Sequence, residues 1–144
     1  MDWLGSWQFF AVCSAFFAGL TAFLGKVGVA EINSNLATFI RTGVVLTITA
    51  LVLSWSNQWQ RPQEVNAKTW IFLVLSGITT GLSWLCYYRA LQFGPVSKVA
   101  PIDKLSVVIA ILLGLFVLGE RFCWQVALGG CLITLGAILI AIFS

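Results

Sequence analysis

The chain is predicted to be an all-α integral membrane protein, a bundle of five transmembrane helices. Three observations carry that expectation. Of its 144 residues, 60% are hydrophobic and only 9% are charged, against about 45–50% apolar and 25% charged in a soluble domain, and the mean hydropathy is +0.98. Five apolar stretches approach or reach the length a helix needs to cross hydrocarbon, about 20 residues. Those stretches are apolar all round, so they lack the polar outer face of a water-soluble bundle.

The elements follow in order. The first span runs from about Trp7 to Gly25 and stops at Lys26, before the polar loop Glu31-Ile32-Asn33-Ser34-Asn35. The second runs from about Leu36 to Trp55 and holds Arg41. The sizeable hydrophilic loop, Ser56 to Thr69, contains Gln60-Arg61-Pro62-Gln63-Glu64. The third span is about Trp70 to Leu91, and Gly94-Pro95 breaks it. The fourth is about Val99 to Gly119. Leu105 to Gly119 alone is 15 residues, too short for a core of about 30 Å, so the span must begin near Val99. That puts Pro101, Asp103 and Lys104 below the surface, with Pro101 early enough in the helix for its missing N–H to cost little. The fifth span is about Cys123 to Phe143. Residues 1–144 are thus expected to form a single transmembrane domain.

Alternating spans define two faces. Trp3, Trp7, Trp55, Trp59, Trp70 and Trp124 all fall at the face of the long loop, where indoles anchor at headgroup depth; Trp84 is deep. Lys26, Arg41, Arg89, Lys98, Asp103 and Lys104 all lie toward the opposite face. Flanking Lys and Arg set insertion direction. Here Arg61, Lys68 and Arg121 balance Lys26, Arg89 and Lys98. Both a single orientation and dual insertion, with oppositely oriented copies pairing, remain open. Met1 to Gly25 lacks the basic start of a signal peptide and is expected to be the first retained span. With no presequence evident, a prokaryotic cytoplasmic (inner) membrane is the expected location.

Charges persist within spans where they meet a partner, a bundle interior or a wet cavity. Asp103 is the one deep acid, and Arg41 or Arg89 is its expected partner, because an unpaired buried charge costs several kcal/mol. That pair suits either a tie between helices or a proton relay at Asp103. One acid cannot neutralise Arg41, Arg89, Lys104 and the rim residue Lys26, so a cavity there would favour anionic or zwitterionic solutes. Trp84, Tyr87 and Tyr88 precede Arg89 on the third span; such aromatics line a solute path or serve as packing. Gly129 and Gly136, seven apart on the fifth span, share nearly one face and suit either self-association or packing within the chain.

Other chemistries find little support. The net charge is +3, but the basic residues are scattered singly, without the run or patch that nucleic acid requires. Cys13, Cys86, Cys123 and Cys131 show no zinc or redox spacing and read as apolar filler. The chain has no His. No phosphate-binding loop, nucleophile elbow or metal-ligand cluster occurs, so neither an enzyme nor a bound cofactor or metal is expected.

Three pieces of the chain resemble the EamA-type half of the drug/metabolite transporter superfamily. They are Tyr88-Arg89-Ala90-Leu91-Gln92-Phe93-Gly94-Pro95-Val96-Ser97-Lys98-Val99-Ala100-Pro101, then Leu118-Gly119-Glu120, then Gly129-Gly130-Cys131-Leu132-Ile133-Thr134-Leu135-Gly136-Ala137. The resemblance implies transport of small organic metabolites or drugs. Larger members carry two inverted halves, and one half here implies an antiparallel homodimer. A parallel dimer or a paired paralogue would also supply ten spans. Inverted repeats around a midplane site are a recurrent transporter design. The small multidrug resistance proteins, relatives in the same superfamily, carry a glutamate in their first span. Trp7 to Gly25 has none, although the fifth span resembles their Gly-spaced dimerising helix.

The expected function is therefore transport of a small polar, anionic or zwitterionic metabolite by alternating access as a homodimer. Arg41, Arg89, Lys104 and Lys26 would attract the solute, and Trp84, Tyr87 and Tyr88 would wall its path. Asp103 would pair or relay a proton, and Gly129 and Gly136 would make the dimer contact. A drug exporter using Asp103, or a non-transporting partner subunit, are the alternatives.

Overall fold

The computed structural model describes residues 6–143, and all regular structure among them is helical. Helix α1 spans Trp7–Gly28, α2 Ser34–Trp55, α3 Ala67–Phe93, α4 Val96–Asp103, α5 Ser106–Phe116 and α6 Trp124–Phe143, with a short 3-10 turn at Pro62–Glu64. Taken together, α4 and α5 form one span, so five helical segments are long and apolar enough to cross a membrane. The chain is an integral, multi-pass membrane protein. Its outward surface suits lipid: Phe16, Phe17 and Leu24 are each 63% exposed. By contrast, the buried positions on the helices are mostly small: Ala22, Gly25, Ser34, Ala37, Thr38, Gly114, Gly130 and Ala137. That is the pattern expected where close backbone approach, rather than water exclusion, drives helix contact.

The described residues form two compact units. One is built from residues up to Lys26 together with those from Gly94 onward, the other from Val27–Phe93.

In the second unit α2 packs on α3. Asn33 caps α2, its side chain accepting from the Asn35 backbone N–H at 2.8 Å. Hydroxyls inside these helices bond back to their own backbone, as lipid requires. Thr38 donates to the Ser34 carbonyl at 2.9 Å and Thr42 to that of Thr38 at 2.8 Å. The indoles of Trp59 and Trp70 donate to Ser54 Oγ and the Pro62 carbonyl, which fits an interfacial role. Trp3, expected in the same belt, lies outside the described residues.

In the first unit α6 packs on both α4 and α5. The fourth span, read from sequence as a continuous helix, is broken between Asp103 and Ser106. The helix starts at Val96, after Pro95, so Pro101 sits in its sixth position, within the first two turns as expected but past the first. There its missing N–H leaves the carbonyl four residues back without that donor. The backbone then tightens into i→i−3 bonds: Lys104 to Pro101 at 3.1 Å, Leu105 to Ile102 at 3.0 Å, and Val107 to Lys104 at 3.0 Å. At its other end α5 is closed by Gly119, whose φ of +68° only glycine adopts freely. The Glu120 N–H then reaches the Gly114 carbonyl at 3.1 Å.

Candidate functional site

Arg41 lies two turns into α2, half-buried. Packing of α2 on α3 lays its guanidinium on the indole of Trp84, with Cζ 3.3 Å from the ring centroid. A half-buried Arg–Trp stack of this kind contributes about 1–2 kcal/mol. Around that indole the α3 register gathers two further rings. Tyr87 stands edge-on at 5.5 Å and Tyr88 is tilted at 5.7 Å. Tyr88 follows Trp84 by four residues and so shares its face; it is only 5% exposed. The arrangement is a cation held on a three-ring wall. The one ion pair among the described residues is Asp103–Lys104, and no described carboxylate of its own unit pairs with Arg41. Chemically the cluster offers a planar, bidentate donor to an incoming carboxylate or phosphate, with apolar ring faces beside it.

The other expected site residues have different surroundings. Arg89, one residue past Tyr88, donates through Nη1 to Gln92 Oε1 at 3.2 Å and lies 4.7 Å over the Phe93 ring. It is exposed and held by its own helix end. Lys26 and the Asp103–Lys104 pair belong to the other unit. Lys26 Nζ donates to the Gly94 carbonyl at 2.9 Å, securing the turn before α4. Asp103 meets Lys104 Nζ at 3.4 Å. Arg41 and Arg89, the partners expected for Asp103, belong to the other unit, and within its own unit Asp103 pairs with Lys104. The tight turn that Pro101 imposes at the end of α4 sets the two adjacent side chains together. Gly129 and Gly136 have open space where a Cβ would project, whereas Gly130 faces Ile111 and Ala137 is buried.

Sequence reasoning missed Gln92. Its Nε2 donates to the Ile32 carbonyl at 2.8 Å and the Val29 carbonyl at 3.4 Å, and it accepts from Arg89. One amide therefore fastens the loop before α2 to the end of α3 and orients a cation. The signal was its position three residues after Arg89, which places both on one helix face. Among the described residues no three His, Cys, Asp or Glu side chains cluster to hold a metal.

The model of the EamA-like transporter family matches residues 5–142. A Sinorhizobium protein described as "Uncharacterized transporter in cobO 3'region" is 51% identical over 138 residues, which cover 96% of this chain and 98% of that relative. No solved structure matches the chain significantly.

Proposed function

The chain belongs to the EamA-like transporter family, and from that membership we propose that it carries a small anionic or zwitterionic organic metabolite across a prokaryotic cytoplasmic membrane. The observation that supports this solute class is Arg41 on Trp84, a guanidinium within a membrane span with no acid paired to it among the described residues of its unit. Charge in that setting is costly and marks a functional site by default. A solute carboxylate or phosphate supplies the missing counter-charge, and Trp84, Tyr87 and Tyr88 shield the pair from acyl chains.

The working unit in this reading is a homodimer operating by alternating access. The family match spans one five-helix unit, and the Sinorhizobium relative is matched over nearly its whole length by a chain of this size. Pairing two copies in opposite orientation would place two such units around a shared path. The balance of flanking charges favours that arrangement. Export of lipophilic cations is less well supported, because it needs a free deep acid and Asp103 is already paired with Lys104.

The test is solute counterflow in vesicles containing the purified protein, with labelled mono- and dicarboxylates, phosphate esters and zwitterions set against lipophilic cations. Exchange confined to solutes bearing an anionic group supports the reading. Exchange of the cations alone overturns it.

A further inference from the structure

Lys104 and Asp103 stand where lipid should not tolerate them. In the span Val96–Phe116, Lys104 is the ninth of 21 residues, two short of the middle one and so about 3 Å from mid-span at 1.5 Å per residue. The two charges meet at 3.4 Å, yet 54% of the lysine side chain and 37% of the aspartate side chain stay exposed. A single contact leaves most of the ammonium's donors and the carboxylate's lone pairs unmet, and hydrocarbon meets none of them. Beside the pair, between α4 and α6, lies a groove of about 420 Å³ whose walls include Pro101, Lys104, Leu132, Ile133, Gly136 and Ala137. At Gly136 a Cβ would touch nothing within 4 Å.

We propose that a second copy of this chain seats in the α4–α6 groove and that the two Asp103–Lys104 pairs exchange partners across the two-fold axis. The inference rests on the homodimer of the proposed function and names its contact. Acyl chains match the apolar walls but give an ion pair nothing. A surface with one positive and one negative group side by side is its own complement: a two-fold rotation sets each Asp103 against the other copy's Lys104. The four charges then alternate in sign, each with two opposite neighbours. Position near mid-span keeps the two pairs at similar depth even when the axis lies in the membrane plane and the copies are antiparallel. The bare backbone at Gly136 lets the second copy approach closely, and the same surface is used on both sides of such an isologous contact.

The test uses two full-length copies with different tags, co-expressed and recovered in nanodiscs. Asp103→Lys makes the site wholly positive, and Lys104→Asp makes it wholly negative. Each variant paired with itself is expected to lose co-recovery by about tenfold, and the mixture of the two should return to within about twofold of the unaltered protein, the behaviour of directly coupled charges. A mixture that pairs no better than either variant alone overturns the proposal, as does undiminished self-pairing of both. Should the charge reversals fail to insert, Gly136→Leu reads the same contact without altering charge. The open space at that position accommodates leucine within one chain, so an unchanged unfolding temperature with about tenfold weaker pairing is expected, and unchanged pairing overturns the proposal. Solute counterflow on the unaltered protein is read separately. Charge complementation without flux sinks the transport reading alone, and flux without complementation sinks this inference alone.

Discussion

Arg41 on α2 stacks its guanidinium on the indole of Trp84 on α3, with Cζ 3.3 Å from the ring centroid. The contact joins the two helices of one unit and holds a cation against an aromatic face. Trp84→Leu keeps an apolar side chain there but removes the ring quadrupole. It should lower stability by about 1–2 kcal/mol, measured by thermal unfolding in detergent. Solute affinity should fall with it, because Arg41 loses its fixed orientation.

Gln92→Leu removes the donor to the Ile32 and Val29 carbonyls and the acceptor for Arg89. A cost of about 1–3 kcal/mol is expected for groups left unmet. Hydrogen exchange should localise it, with faster exchange at the amides of residues 33–37, where α2 begins.

The adjacent glycines of α6 should separate cleanly. A Cβ at Gly130 would lie 3.2 Å from Ile111 Cδ1, whereas one at Gly129 meets nothing within 4 Å. Gly130→Val should destabilise the chain by about 1–3 kcal/mol through overpacking. Gly129→Val should leave the unfolding temperature unchanged.

The membrane class and the five spans were legible because they rest on bulk apolarity and run length, which each segment carries alone. What one segment cannot carry is its rotation about its own axis. These helices are apolar on every side, so nothing in α2 or α3 announces that Arg41 turns toward Trp84. The pairing of Asp103 with its neighbour Lys104 was not legible for a related reason. The expectation assumed a continuous fourth helix, in which adjacent residues diverge by about 100°. The start of that helix at Val96 moved Pro101 inward, broke the helix after Asp103, and let neighbours pair. Gln92 was overlooked because its ligands are backbone carbonyls, which carry no residue identity.

Pro101→Ala restores a backbone donor in the interior of α4. The i→i−3 bonds at Lys104 and Leu105 should relax toward helical ones, with slower amide exchange at both. Stability should rise by up to about 3 kcal/mol, the interior cost of proline. The Asp103–Lys104 contact should weaken as the side chains swing apart, and pairing of tagged copies should fall with it.

Flux through purified Arg41→Ala protein in vesicles, compared with the unaltered chain at equal protein and equal dimer content, bears most directly on the claim that an unneutralised guanidinium in the second span takes up the solute. Loss of anion flux by about 100-fold, the scale for removing one charge-assisted contact of about 2–3 kcal/mol, with partial recovery in Arg41→Lys, is the predicted result. Anion flux in Arg41→Ala equal to that of the unaltered chain would contradict it.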